Sequence, residues 1–267
     1  MVRGLAALAL VAALAGCGSK APVTTTAPPP PKPFRIVFPE GFTRSQMAVR
    51  VQQVAKIART EHRGRPHISA RTYLTATAFR RVRGFSTKKI SLEGFLFPAT
   101  YDFLPQTTSA QLVHAQLQAF SVNWQHVDLR YARKKNLTPY DVLTIASMIE
   151  KEAVVPSERK LIAAVIYNRL HAHMPLGIDA TIRYGLGVPG TKPLLQSELD
   201  SNNPYNTRKF LGLPPTPIAN PGLAAIQAAA HPAHVDYLYF VRKPDKRHHY
   251  FTSSFQDFVN HEHLYGY

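Results

Sequence analysis

Cysteine is almost absent from this chain of 267 residues, which has a single one at Cys17. One cysteine excludes an intramolecular disulfide framework and a zinc site built from several cysteines. Glycine is also scarce, with 14 residues against 22 prolines, while aromatic residues make up 10% of the chain. This composition excludes a collagen repeat, a coiled coil and a chain that is disordered throughout. The sequence also lacks a glycine-rich phosphate-binding loop and a serine-triad motif.

Histidine pairs are present, but their spacing does not favour a metal site. The pairs are His171 with His173, His248 with His249, and His261 with His263. Residues one or two positions apart on a helix do not share a face, so these side chains would not converge on one ion. The sequence therefore predicts no metal and no cofactor.

Acidic residues are the other scarce class, with 16 Asp and Glu against 32 Lys and Arg, a net charge of +16. The excess is not evenly spread. Residues 41–92 contain 12 Lys and Arg but only one acid, Glu61, whereas residues 93–267 contain 16 and 14. The basic segment is either a solvated surface or a surface that attracts an anionic polymer or anionic lipid headgroups. Nucleic-acid binding is a further alternative and predicts a steep salt dependence of affinity for DNA. It would leave the leader at the N-terminus unexplained, so nucleic acid is not predicted as a partner.

The first residues are typical of a secretory leader. Arg3 precedes an apolar run from Leu5 to Ala15, which is too short to span a bilayer as a helix. The segment that ends in Cys17, Leu-Ala-Gly-Cys, resembles a bacterial lipobox, in which the thiol is acylated and the chain is cut before it. We therefore expect a signal peptide at 1–16, a lipidated Cys17 and a protein anchored at the outer face of the cell membrane. The alternative is an ordinary leader with an incidental cysteine.

Three further segments follow the leader. Residues 17–33 are rich in proline and threonine and predict a stiff tether. Residues 34–91 predict a small basic subdomain, with a strand at Phe34–Phe38, a helix capped by Ser45 and a second helix over Ala70–Arg83. Residues 92–267 predict the main domain, which ends in a hairpin and in a helix after Ser254. The fold class is α+β.

A candidate acid lies in a helix predicted from Tyr140 to Ala153, with Thr138 as its cap and Pro139 as its first residue. Helical periodicity places Glu150 inside the apolar face, whereas Glu152 lies just beyond the edge of that face and points away from Glu150. Burial disfavours the charged form of a carboxyl, so the pKa of Glu150 should be raised, as a general acid requires. The alternative is a structural glutamate paired with Arg159 or Arg169.

The residues around this helix resemble the YceG-like family of endolytic murein transglycosylases. The resemblance runs from Phe34 to the C-terminus in ordered motifs. These are Phe38–Gly41, Leu92–Pro98, Ala146–Ala153, Val165–Leu170, Asp179–Thr181, Pro204–Thr207, Gly212–Pro215, Asn220–Gly222, Ala228–Pro232 and Tyr237–Val241. It implies a LysM-like subdomain at 34–91, followed by a mixed α/β catalytic domain.

The resemblance implies an enzyme that cuts the β-1,4 bond between N-acetylmuramic acid and N-acetylglucosamine in nascent glycan strands without water. Glu150, as the first glutamate of the Glu-Lys-Glu motif, would protonate the leaving oxygen and then take the proton of the attacking C6 hydroxyl, leaving a 1,6-anhydro end. It also implies substrate contacts from a set of polar and aromatic residues in the same motifs. These are Glu93, Asn168, Arg169, Asp179, Thr181, Tyr205, Asn206 and Thr207.

Three positions depart from the usual pattern of the family. They are Ala99, Gly177 and Arg208, which stands where an aromatic residue is frequent. None of them removes Glu150. The implied partners are glycan strands, the membrane and peptidoglycan synthases. The alternative function is a non-catalytic lipoprotein that binds the cell wall through the LysM-like subdomain.

Overall fold

The computed structural model of the chain describes residues 33–61 and 64–266. The predicted signal peptide at 1–16, the predicted lipidation at Cys17 and the predicted tether, except for Pro33, lie outside the described residues. Lys32–Tyr267 form one compact unit. Helices and short strands are both present in it, which confirms the predicted α+β class.

The first layer of this unit has the order strand, helix, helix, strand. Strand β1 (Phe34–Val37) pairs antiparallel with β2 (Thr100–Phe103), and helices α1 (Arg44–Thr60) and α2 (Ala70–Ala76) lie between them in sequence. Alternate residues of β1 are buried, as the predicted strand requires. The predicted boundary between 91 and 92 stays a prediction, but the β1–β2 pairing crosses it.

Both helices of this layer differ in detail from the prediction. The cap of α1 is Thr43 rather than Ser45, because the Thr43 hydroxyl accepts from the backbone N–H of Gln46 while the Gln46 side chain accepts from the backbone N–H of Thr43. Helix α2 ends at Ala76, seven residues earlier than predicted. The chain beyond it turns back and forms a backbone bridge between Arg80 and Ile90.

Two helices then lead toward the second layer. Helix α3 (Ser109–Trp124) packs on α2 and β2, and the short helix α4 (Arg130–Lys134) contacts a later helix of the core. Four aromatic rings join α3 to the loop before β2, with centroids 4.8–5.6 Å apart. They belong to Phe85, Phe95, Phe120 and Trp124. The hydrophobic core is therefore continuous between the basic segment and the rest of the chain.

The second layer is helical and is built around α5 (Pro139–Glu152), whose residues Val142–Ile149 are all buried. The helices that follow in sequence are α6 (Arg159–His171), α7 (Asp179–Leu186), α8 (Gln196–Leu199) and α9 (Leu223–Ala230), and a 3-10 turn (Pro156–Glu158) precedes α6. Helices α6, α7 and α9 all pack against α5. The helix that carries the candidate acid is therefore the central helix of the core.

The chain ends in the predicted hairpin and helix. Strand β3 (Tyr239–Arg242) pairs antiparallel with β4 (His249–Thr252), and α10 (Phe255–Tyr265) packs on both strands. Ser254 caps α10 by accepting from the backbone N–H of Asp257. These elements confirm the predicted C-terminal arrangement.

Within the described residues, no helix is both long enough and apolar enough to cross a bilayer.

Asn220 ties three distant segments of the unit together, and its side chain is fully buried. Its Oδ1 accepts from the backbone N–H groups of Gly94 and Leu96, both at 2.9 Å. Its Nδ2 donates to the Phe42 carbonyl at 2.9 Å and to Glu93 Oε1 at 2.8 Å. One side-chain amide therefore joins the turn before α1, the loop before β2 and the loop before α9.

We expect Asn220→Ala to destabilise the protein by about 3 kcal/mol or more, because it leaves buried donors and acceptors unpaired and opens a cavity. The measurement is the free energy of unfolding in urea. Asn202→Ala is the matched control, since Asn202 is exposed, and it should change this free energy by less than about 0.5 kcal/mol. Equal effects of the two substitutions would contradict the role of Asn220.

Candidate functional site

Glu150 and Glu152 lie in the last turn of α5. The start of this helix is fixed by the predicted cap: the Thr138 hydroxyl accepts from the Asp141 N–H, and Asp141 Oδ2 accepts from the Thr138 N–H at 2.8 Å. Pro139 is its first residue, as predicted. The cap and the buried body of α5 together hold its C-terminal turn, and the two carboxyls leave that turn on different sides.

Glu150 faces the start of α9. Its Oε2 accepts from the backbone N–H of Gly222, the cap residue of α9, at 3.0 Å. Burial raises the pKa of Glu150, and this is partly offset by the Gly222 hydrogen bond. The direction agrees with the sequence prediction. The Arg169 guanidinium is bonded instead to backbone carbonyls, whereas the charge of Arg159 acts on Glu150 to lower its pKa.

A second carboxyl, Glu40, which is not among the predicted site residues, lies beside Glu150. The Glu40 carboxylate lies so close to Gly222 that a Cβ there would overlap it unless the exposed Glu40 side chain moved. The charge of Glu40 contributes to raising the pKa of Glu150. Gly41, with φ +74°, is the left-handed residue that turns the chain here. The Pro-Glu-Gly turn at 39–41 is the sequence signal at Glu40. Gly222, which the Glu40 carboxylate approaches, is 182 positions further along the sequence.

Glu152 faces a groove on the other side of α5. Its side chain is 15% exposed, and its Oε2 is 3.8 Å from Nη2 of Arg242. Burial raises the pKa of Glu152; the charges of Arg242, Lys151 and Arg183 lower it, and the charge of Asp179 raises it. Helical periodicity predicts that Glu152 points away from Glu150, and the two carboxyls do have separate surroundings. The groove, however, is lined by Glu152 and not by Glu150.

The groove has a volume of about 1270 Å³. Its walls come from the start of α1, the end of α5, the segment from Met174 to α7, the β3–β4 hairpin and α10. Aromatic side chains on one side offer flat apolar faces of the kind on which sugar rings stack; these are Tyr239, Phe240, Phe255 and Phe258. The groove is therefore large enough and chemically suited to take a segment of a glycan.

Asp179 and Arg208 form an ion pair inside this groove, with Arg208 Nη2 2.7 Å from Asp179 Oδ1. Arg208 is one of the three departures from the family pattern. The pair explains the arginine structurally, because it neutralises the carboxylate of Asp179 next to Glu152. Asp179 and Arg169 are the two predicted substrate contacts that line the groove.

The other predicted substrate contacts hold loops in place. Asn168 Nδ2 donates to the carbonyls of Val235 and Tyr237, and Asn206 Nδ2 donates to those of Leu199 and Ser201. Their roles as substrate contacts stay predictions.

Thr181, Thr207 and Tyr205, which are also predicted substrate contacts, bond to other residues of the protein. The buried hydroxyls of Thr181 and Thr207 bond to each other at 3.0 Å. The Tyr205 hydroxyl bonds to Thr216 at 2.8 Å, and its ring lies 5.1 Å from that of Tyr184. These bonds fix the segments that form the groove wall, and direct contact with a substrate stays a prediction for each residue.

Glu93 is buried at 2% exposure near the Asn220 tie. Its carboxylate accepts from the backbone N–H of Arg44, the hydroxyl of Tyr184 and the amide of Asn220. Burial raises the pKa of Glu93 to about 7, although these hydrogen bonds lower it in part. Glu93 therefore supports the wall of the site without lining the groove.

A buried His249–Glu158 pair attaches the hairpin to the start of α6. His249 Nδ1 lies 2.8 Å from Glu158 Oε2, and the His249 backbone N–H donates to Glu158 Oε1 at 2.9 Å. Burial lowers the pKa of His249. In the sequence, His249 is a candidate only for metal binding, and the spacing of the histidines does not favour that role. Among residues 33–61 and 64–266, no group of three or more acidic, histidine or cysteine side chains could hold a metal ion.

Comparisons with known proteins agree on one family. The sequence model of the YceG-like family matches residues 17–263. The chain is 40% identical over 156 residues to the endolytic murein transglycosylase of Bacillus subtilis strain 168, covering 58% of the chain and 43% of that protein. It is 34% identical over 250 residues to the endolytic murein transglycosylase of Streptococcus pneumoniae R6, covering 87% of the chain and 45% of that protein. The chain therefore spans less than half the length of these relatives.

A solved structure has the same fold. The crystal structure of a YceG-like protein from Listeria monocytogenes superposes with a TM-score of 0.70 at 29% identity. The match covers 87% of this chain and 76% of that one.

We expect Glu93→Gln to remove a pH dependence of stability. Because the pKa of Glu93 is about 7 in the folded chain against 4.5 ordinarily, the folded state holds the proton more tightly. Stability is then fully present below pH 4.5 and is lost as the pH rises through 7, by up to about 3 kcal/mol. Urea unfolding at pH 5 and pH 8 should show a smaller difference for Glu93→Gln than for the parent. Asp236→Asn, at an exposed acid, is the control and should keep the parent's difference.

We expect Arg242→Met to raise the pKa of Glu152, because it removes a positive charge beside the carboxyl. Arg242→Lys keeps the charge and should leave the pKa nearer to that of the parent. The measurement is the pH titration of the Glu152 carboxyl carbon by NMR. Arg35→Met, which breaks an ion pair with Asp102 on the β1–β2 sheet, should not move this titration. A Glu152 pKa unchanged in Arg242→Met would contradict the assigned contact.

Proposed function

The chain belongs to the YceG-like family, and on that premise we propose that it is an endolytic murein transglycosylase. The relatives from Bacillus and Streptococcus that carry this name support the activity. Its substrate would be the glycan of peptidoglycan, cut within the strand at the bond between N-acetylmuramic acid and N-acetylglucosamine.

The observation that carries the proposal is a largely buried carboxyl, Glu152, in the wall of a groove of about 1270 Å³. This volume exceeds the roughly 300–1,000 Å³ of a typical small-molecule site, as binding to a polymer segment requires. Burial raises the pKa of Glu152, which favours the protonated form that a general acid needs. We therefore propose Glu152 as the acid, in place of the Glu150 that sequence periodicity indicates.

The reaction needs one carboxyl that acts twice. Glu152 first donates its proton to the glycosidic oxygen, and the bond between that oxygen and the anomeric carbon breaks. The anomeric carbon belongs to an N-acetylmuramic acid residue. The resulting carboxylate then accepts the proton of the C6 hydroxyl of that residue, and the C6 oxygen forms a bond to the anomeric carbon. The products are a 1,6-anhydro end and a free hydroxyl on the other sugar, with no water consumed.

The surroundings of Glu152 support this chemistry over hydrolysis. Most glycoside hydrolases need a second carboxylate as nucleophile or base. Asp179 lines the same groove, but it is held in an ion pair with Arg208. Arg242, on the hairpin, lies near Glu152 and stabilises the carboxylate that forms after the first proton transfer.

Three further features belong to the proposal. The lipobox at Cys17 supports a lipoprotein whose signal peptide, 1–16, is removed and which is anchored at the outer face of the cell membrane. The strand-helix-helix-strand order of β1, α1, α2 and β2 supports a LysM-like subdomain, which would bind glycan beside the groove. Peptidoglycan synthases would supply the nascent strands that the enzyme cuts.

We expect Glu152→Gln to lower the rate of release of anhydro-ended glycan from uncrosslinked strands by about 100-fold or more, the usual contribution of a general acid. Glu150→Gln can still accept the Gly222 hydrogen bond, so it should stay within about tenfold of the parent. The measurement is mass spectrometry of the products, with unfolding midpoints of both variants as the control for folding.

Two other outcomes have clear meanings. Loss of activity in Glu150→Gln but not in Glu152→Gln would show that the general acid is Glu150. Anhydro ends released equally by the parent and both variants would contradict catalysis and favour the alternative, a non-catalytic lipoprotein that binds the cell wall.

A further inference from the structure

The loop between α2 and β2 carries an unusual density of exposed positive charge. We call residues 79–90 the basic loop. It presents five exposed cations and one exposed aromatic side chain, that of Phe79, which is 68% exposed. The cations are Arg80, Arg81, Arg83, Lys88 and Lys89.

The basic loop is held in one shape by backbone pairing and by an aromatic anchor. Arg80 and Ile90 exchange two backbone hydrogen bonds of 2.9 Å, which close the loop at its base. The ring of Phe85, in the middle of the loop, lies 4.9 Å from that of Phe95 and 4.8 Å from that of Trp124. A loop fixed at its base and its middle presents its charges with little entropy left to lose on binding.

Nearby acids do not neutralise this charge. Between residues 64 and 101 the sequence contains one acid, Glu93. Its side chain is 2% exposed and is bonded to Arg44, Tyr184 and Asn220. In the described part of the chain, no carboxylate forms an ion pair with any of the five cations. The loop therefore offers an uncompensated charge of +5 to a partner.

We propose that the basic loop binds the surface of a membrane that contains anionic phospholipids. Five cations complement the phosphates of the headgroups, and each contributes about fivefold in affinity near such a surface. Phe79 distinguishes a membrane from a soluble polyanion, because an exposed aromatic ring gains by entering the boundary between headgroups and acyl chains. A soluble phosphate polymer offers no apolar phase to that ring.

This contact differs from the lipid attachment proposed at Cys17 and from the proposed activity. It is made by side chains of the folded unit, and it requires neither acylation nor the groove. Because it would act alongside any covalent lipid, it would orient the folded unit and not only tether it. It also gives a role to five of the 12 Lys and Arg residues in 41–92.

The test measures binding of the full chain to vesicles by sedimentation. All proteins carry Cys17→Ser, which prevents acylation and leaves the N-terminal segment the same in every sample. The vesicles are either pure phosphatidylcholine or a mixture with phosphatidylglycerol. We expect the parent to bind the anionic vesicles more tightly, and this preference to fall as salt is raised.

The decisive variant is Lys88→Gln with Lys89→Gln, which should weaken binding to the anionic vesicles about 30-fold, or about fivefold for each cation removed. Its matched control is Lys134→Gln with Lys135→Gln, an exposed pair of adjacent lysines at the end of α4. The control loses the same charge and should weaken binding by less than about threefold. Equal losses in both pairs, or no loss in the loop pair, would overturn the proposal.

A second variant, Phe79→Ala, tests the apolar part of the contact and should weaken binding about tenfold. If Phe79→Ala binds as tightly as the parent, and soluble polyphosphate displaces all of the protein from the vesicles, the proposed membrane partner is wrong. The ligand of the basic loop is then a soluble polyanion. The side chains of Phe79 and of the four substituted lysines are exposed, so the unfolding midpoints of these variants should match the parent and show that folding is retained.

Discussion

The side-chain amide of Asn220 makes four hydrogen bonds in the protein interior, and the arrangement of the site depends on them. The two bonds that its oxygen accepts fix the loop at Gly94 and Leu96, and one bond that its nitrogen donates fixes the turn at Phe42. That turn carries Glu40 and Gly41 against the end of α5. Two residues beyond Asn220, Gly222 holds the carboxyl of Glu150. A single uncharged polar residue thus links the turn that contacts the end of α5 to the segment that leads into α9.

Two carboxyls at the end of one helix have separate surroundings because they lie on opposite sides of it. Glu150 is tied to the start of a neighbouring helix, whereas Glu152 lines the groove with the guanidinium of Arg242 3.8 Å away. Burial raises the pKa of both. A raised pKa therefore does not by itself identify a general acid. The two carboxyls differ in their access to the groove, which Glu152 lines and Glu150 does not.

The sequence predicts features that depend on local interactions. The start of α5 at Pro139, its cap at Thr138, and the C-terminal hairpin and helix follow from turn and capping residues within a few positions. Features set by distant contacts were not predictable in this way. Helix α2 ends early, and the chain beyond it forms a bridge between Arg80 and Ile90, a pairing that helical periodicity does not predict. The side of α5 that faces the groove depends on where β3 and α10 pack, and a helical wheel contains no information about that. The role of Asn168 in holding a loop depends on carbonyls 67 and 69 positions away in the sequence.

The Asn220 tie also has a consequence for the order in which the protein can fold. Its bonds join residues separated by 124 to 178 positions. A chain that appears from its N-terminus completes β1, α1 and α2 long before residue 220 is available to bond with Phe42. Contacts at such separations slow folding, because much chain entropy is lost before they form. The bonds that join the first layer to Asn220 can therefore form only after synthesis has passed residue 220, so this link between the two layers is completed late.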